Sequence, residues 1–194
     1  MRRYIPAVGF LGFVFALICV VSVPTFGAGV LDQLKTRFNE DRGTLRPVVL
    51  VSPTCPECTS GAGWIQEYIL KRNPKLDVNV YAVWYEMYPG DSPDDFSGAG
   101  TLLPDKRVVH YWDQPKDVGR WFYGLTPTNT KGDVEWDAFY FYGKDSVWTD
   151  KPTELLTWGR TILKDRRKLS AQVAQLTGTE PIPAEAPAPT AVPT

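Results

Sequence analysis

"RPVVLVSPTCPECTSGAGW" runs from Arg46 to Trp64, and its reading decides the fold. The first part is a short continuous apolar run with β-branched residues, which suits a buried parallel strand. Two cysteines separated by two residues, Cys55 and Cys58, follow immediately. The chain then reads as helix through "GWIQEYILKRNP", with Trp64, Ile65, Tyr68 and Ile69 at apolar spacing and Pro74 beyond its end. The pair therefore stands where a strand hands over to a helix. Such a pair serves as a redox couple, as half a metal site or as a structural staple.

The location supplies chemistry. Thr54 is the expected N-cap, with Glu57 completing a capping box in T-C-P-E. Cys55 and Cys58 then lie in the first turn, where free N–H groups and the helix dipole favour a thiolate. Pro56 loses no needed hydrogen bond there. Glu57 works the other way: at about 8 Å from the sulfur its carboxylate costs the thiolate on the order of 1 kcal/mol. That offsets the ~0.3–1 kcal/mol gained from the helix end, which predicts a mildly acidic thiol and a reducing rather than oxidising pair.

Outward from the pair, "VLDQLKTRFNEDRG" places Val30, Leu31, Leu34 and Phe38 on one helical face. "LDVNVYAVWYEM" reads as a second strand, and "YPGDSPDDFSGAGTLLPD" as a Gly/Pro/Asp-rich loop. "RVVHYWD" is a third strand, "QPKDVGRWFYG" a short helix, and "VEWDAFYFYGKDSVW" a strand, a turn and a second strand. A long helix is expected after Asp150 as its cap, with Pro152 in the first turn. Its face would carry Leu155, Trp158, Ile162, Leu169, Val173 and Leu176. Strands alternating with helices and closed by a hairpin imply an α/β sheet of mixed direction.

The ends differ in kind. "MRRYIPAVGFLGFVFALICVVSVPTFGAG" carries Arg2 and Arg3 and then no charge until Asp32, the pattern of a signal peptide or of a membrane anchor through residues 4–26. Cys19 is an apolar member of that run. Either reading leaves the two arginines inside and the domain extracytoplasmic, periplasmic or secreted. "GTEPIPAEAPAPTAVPT" at the other end has almost nothing to bury and reads as a solvated tail. The 194 residues carry a net charge of −1, which removes the electrostatic case for nucleic acid. Seven tryptophans point to an aromatic core.

Strand, Cys-x-x-Cys at a helix start, second strand and a later strand–turn–strand–helix resemble the thioredoxin superfamily over residues 45–170. "VVHYWDQPKDVGRWFYG" is similar to the strand–turn–helix inserted in TlpA-type reductases and their peroxiredoxin relatives. The resemblance implies a central mixed sheet flanked by helices over residues 45–176. Residues 1–27 precede it as signal or anchor, 28–44 as N-terminal helix and linker, and 177–194 follow as a disordered tail. It also implies that Cys55 attacks, that Cys58 resolves, that no cofactor is needed, and that the partners are protein thiols and disulfides together with a redox partner.

Several family features are absent. Thr54 stands where a Trp usually precedes the first cysteine, and Val49 where an acid often helps deprotonate the second. Trp136 and Asp137 occupy the substrate-facing loop where a cis-proline is expected. The Pro-x-x-x-Thr-x-x-Cys frame of peroxiredoxins is missing, which argues against a peroxidase. Without the proline, metal is less strictly excluded; Asp137 could serve as a base for Cys58, as a ligand or as a turn cap. Two other functions remain open at this point. One is a copper carrier similar to the Sco-type chaperones, using Cys55, Cys58 and the single histidine, His110. The other is an interaction domain in which the cysteines form a permanent disulfide.

Overall fold

The computed structural model describes residues 28–125, 132–183 and 186. The 1–27 segment, including Cys19, lies outside them, as does most of the tail. Among the described residues no helix is long and apolar enough to cross a membrane.

Helix α1 (Val30–Glu40) leads to strand β1 (Arg46–Val51), helix α2 (Pro56–Trp64) and strand β2 (Val80–Trp84). Helix α3 (Pro93–Ala99), strand β3 (Val108–Trp112) and helix α4 (Asp117–Leu125) come next, followed by strands β4 (Ala138–Tyr142) and β5 (Leu155–Arg160) and helix α5 (Ile162–Thr177). The sheet order is β3-β2-β1-β4-β5. β1, β2 and β3 are parallel, with Val49 opposite Ala82 and Ala82 opposite His110. β4 and β5 are antiparallel to their neighbours, with Phe139 opposite Val49 and Gly159 opposite Phe139. This is the mixed sheet flanked by helices that the sequence implies.

Every residue of β1 is buried, because the sheet is covered on both sides. Side chains alternate across a strand, so Val49, Val51, Ala82, Trp84, Phe139 and Phe141 share one core with α2 and α5. Val48, Leu50, Tyr81, Val83, Ala138 and Tyr140 share the other with Leu34 and Phe38 of α1 and Val118 and Phe122 of α4. After Trp64 the helix widens into a π-helical stretch, Ile65–Leu70, that keeps Ile65, Tyr68, Ile69 and Leu70 inward.

Four expectations need correction. The stretch expected as loop contains α3, opened by Ser92 and Asp95 in a reciprocal capping box with Pro93 at its first position. The strand expected at "DSVW" is a loop, because Trp148 is drawn against Phe38 and Trp121, at ring separations of 5.4 and 4.6 Å. Asn39 pins it there by bonding both the N–H and the C=O of Trp148. The long helix starts at Thr161 instead of Asp150, and Leu155 and Trp158 belong to β5. Their i,i+3 spacing is helical, but pairing with β4 overrides it. Gly159 is needed in that strand, since a Cβ there would sit 2.5 Å from the Phe139 ring and 2.3 Å from Asp165 Cβ. Leu176, expected on the buried face, is 44 % exposed. Past α5, the Ile182 N–H donates to Ser170 Oγ at 2.6 Å, and Ile182 and Ala186 pack on the first core.

Candidate active site

β1 delivers its C-terminal end at the middle of the sheet, and the turn after it carries Cys55 into the start of α2. Thr54 is not the cap. Cys55 itself takes the N-cap position, with extended backbone (φ −77°, ψ 115°), and its Sγ accepts the Cys58 N–H at 3.2 Å. The Thr54 hydroxyl donates instead to Asp91, which lies in the loop between β2 and α3. The expected box of Thr54 and Glu57 therefore does not form. Glu57 lies closer to the sulfur than the sequence suggests, its Oε2 3.9 Å from Cys55 Sγ.

Both cysteines are free thiols and both are buried, Cys55 at 1 % exposure. Neither residue faces solvent, yet the two sulfurs remain unlike. The Cys58 thiol lowers the Cys55 pKa most, burial opposes it, the Cys58 N–H lowers it further, and Asp137 and Glu57 push back; the balance is downward. Cys58 is pushed well above the ordinary thiol range by burial first, then by Cys55 and Asp137. Environment alone makes Cys55 the more acidic of the two thiols.

Asp137 precedes β4 with φ +49°, in the left-handed region. It is 4 % exposed and so lies in the interior, not on a surface loop. Its Oδ1 accepts the Ile162 N–H at 3.2 Å, and burial pushes its carboxyl up to about 6. Ile162 in turn lies against Gly61 of α2, where a Cβ would come within 2.8 Å of Ile162 Cβ. Of the neighbouring carboxylates, Asp137 acts most strongly on both sulfurs. Trp136 is half-buried, packs on both cores, and meets Tyr88 edge-on with 5.7 Å between rings. The segment is anchored one residue earlier: Glu135 is buried, its Oε1 lies 2.9 Å from Arg160 Nε, and its C=O accepts the Tyr85 hydroxyl.

His110 does not join the cysteines. It lies on β3, separated from β1 by β2, and its Nδ1 accepts the Trp84 indole N–H at 3.1 Å while Nε2 lies 3.2 Å from Leu103 O. Burial lowers its pKa and favours the neutral ring. Among the described residues no group of three His, Cys, Asp or Glu side chains is placed to hold a metal ion. The copper set of Cys55, Cys58 and His110 is thus not assembled. Sequence reasoning missed Asp91 and Tyr88, which sat inside a stretch read only as turn residues. The S-P-D-D signature at Ser92 would have marked a helix start, but nothing local marks Asp91 as a partner of Thr54.

No protein-family model matches the chain, and no curated protein matches it. Solved structures do resemble it. A secreted Mycobacterium tuberculosis disulfide oxidoreductase homologous to E. coli DsbE is 18 % identical, with 70 % of this chain and 84 % of that one covered and a TM-score of 0.43. A putative protein disulfide isomerase from Bacteroides thetaiotaomicron is 10 % identical over 77 % of each chain, with a TM-score of 0.49. AhpC of Enterococcus faecalis is 13 % identical, covering 74 % and 84 %, with a TM-score of 0.44. With three parallel and two antiparallel strands, and a cysteine pair opening the helix after the central strand, the chain has a thioredoxin-like fold.

Proposed function

We propose that this chain is an extracytoplasmic thiol–disulfide oxidoreductase that reduces protein disulfides through Cys55 and Cys58. The observation that carries the reading is the split between the two sulfurs: Cys55 lowered and seated on a helix-start N–H, Cys58 buried and raised. The Cys55 thiolate attacks a substrate disulfide, forms a mixed disulfide and releases one substrate thiolate. Cys58 then gives up its proton and attacks Cys55 Sγ. The Cys55–Cys58 bond forms, the second substrate thiolate leaves, and the substrate is reduced by two electrons. A separate redox partner must reduce the pair again. The location outside the cytoplasm rests on the basic and apolar 1–27 segment, and disulfide traffic is concentrated there.

The direction follows from charge. Glu57 and Asp137 both oppose the Cys55 thiolate, so the reduced form gains less than it would at an unopposed helix end. Equilibration of the chain without residues 1–27 against glutathione should give a potential of about −200 to −270 mV. A value below about −300 mV would mark a permanent staple, and one near −120 mV an oxidant.

Asp137 is the proton acceptor for Cys58 in this reading, supplying from the loop before β4 what Val49 cannot supply from β1. A carboxyl whose folded pKa is raised from 3.8 to about 6 makes folding less favourable as pH rises through that window, because the native state holds the proton longer. Above pH 6 the cost is on the order of 2–3 kcal/mol. Asp137→Asn keeps the bond from Ile162 N–H and removes the charge. It should therefore be more stable than the parent at pH 7, with the advantage vanishing near pH 4. Release of the mixed disulfide should slow by at least about tenfold at pH 7. A variant that is stabilised but resolves at the parental rate would remove Asp137 from the chemistry.

A further inference from the structure

We infer that Asp91 is the positioning residue that holds Cys55 in its reactive geometry, an inference that rests on Cys55 being the attacking thiolate. Asp91 comes from a different loop, and its nearly buried carboxylate gathers four neutral donors. Oδ2 accepts Ser52 Oγ–H at 2.7 Å and the N–H groups of Met87 and Tyr88 at 2.8 and 3.1 Å, while Oδ1 accepts the Thr54 hydroxyl. Burial pushes the carboxyl up, but the bonds from Thr54, Ser52 and the two N–H groups outweigh it and hold it below the usual range. It is an acceptor at full capacity.

The two hydroxyls bracket Pro53 and end one residue before Cys55. Fixing residues 52 and 54 fixes the extended backbone at 55, which is what points Sγ at the Cys58 N–H. The other two bonds fix the backbone at Tyr88, whose ring stands against Trp136, the residue before Asp137. The Tyr88 phenol is itself 41 % exposed, and its pKa is raised by burial first and then by the charges of Cys55, Glu57 and Cys58. One carboxylate therefore ties together the three segments around the thiols: the strand-to-helix turn, the loop after β2 and the loop before β4.

This role is separable from Asp91's charge by sign. As a nearby negative charge, Asp91 can only raise the Cys55 pKa, so deleting the charge alone lowers it. As a clamp it keeps Sγ on the helix-start N–H, so losing the clamp raises the pKa. Asp91→Asn removes the charge and preserves most of the clamp: its oxygen takes the three donors of Oδ2, and its amide donates to the Thr54 oxygen. Asp91→Ala removes both.

The test is the pH profile of iodoacetamide alkylation of Cys55 in the full chain carrying Cys58→Ser. Asp91→Ala should move the midpoint up by about 0.5 pH unit. Asp91→Asn should lie at or below the parent. If both variants move down, Asp91 acts only through its charge and the inference falls. It falls equally if Asp91→Ala melts earlier with an unmoved midpoint. Should Asp91→Ala not fold, Thr54→Val deletes one bond at an exposed position; it must shift the midpoint in the same upward direction, and no shift overturns the inference. Alkylation needs no turnover. A parent chain that reduces no disulfide therefore sinks the proposed function without deciding the role of Asp91.

Discussion

Cys58→Ser is expected to accumulate as a mixed disulfide with a disulfide-bonded test protein through Cys55, while Cys55→Ser traps nothing. Serine keeps a hydroxyl where the Cys58 thiol supports the Cys55 thiolate, and the backbone N–H at 3.2 Å is untouched, so the first attack survives. Resolution does not, because no second sulfur remains. In Cys55→Ser the only sulfur at the site is Cys58, raised well above the thiol range by burial. Its thiolate fraction at pH 7 should be well below that of Cys55. Since both sulfurs are buried, the comparison is made on the pH profile of iodoacetamide alkylation, whose midpoint reports thiolate character independently of access. A lower midpoint for Cys55→Ser than for Cys58→Ser would reverse the roles. Turnover of disulfide reduction should fall below one thousandth of the parent's in either variant.

What the sequence made legible was what local pattern encodes. An apolar β-branched run of one strand's length, stopped by Ser52-Pro53 and followed by two cysteines at a helix start, has few foldings. The alternation Val48/Val49/Leu50/Val51 then assigns each residue to one of the two cores. Illegible were features decided by contacts distant in sequence. Thr54 has the right chemistry for an N-cap, but Asp91 takes its hydroxyl, and the neighbouring sulfur caps the helix instead. "LLTWGR" has helical spacing in isolation and becomes a strand because β4 offers it an edge. The interior placement of Asp137 was also invisible, since a loop aspartate is ordinarily solvated, whereas this one is buried with its Oδ1 on the Ile162 N–H.

Arg46→Ala is expected to cost about 3–5 kcal/mol of folding stability, a large share of the ~5–15 kcal/mol a domain of this kind has. Arg46 opens β1 with no exposed surface, and carbonyl oxygens, not a carboxylate, surround its guanidinium. Nη1 donates to Phe38 O at 2.7 Å, and Nη2 lies 2.9, 2.8 and 2.9 Å from the carbonyls of Gly143, Lys144 and Ser146. The guanidinium also lies 4.3 Å from the centre of the Phe38 ring. It thus joins the end of α1 to the loop after β4, and burial lowers its pKa without bringing it near neutrality. Truncation leaves those acceptors unpaired at about 1–3 kcal/mol each where water cannot reach them. Arg46→Met separates the causes: it refills most of the volume but donates nothing, so it should recover only the cavity part, about 1–2 kcal/mol. Denaturant melts of the three proteins decide this, and Arg46→Met within 1 kcal/mol of the parent would mean that the carbonyls find other donors. The damage should stay at its own end of the strand. Cys55 hangs from the opposite end of β1, held by Asp91 and by pairing to β2 and β4. At temperatures where Arg46→Met is folded, its Cys55 alkylation midpoint should therefore match the parent's, because stability and thiolate geometry are set at opposite ends of one strand.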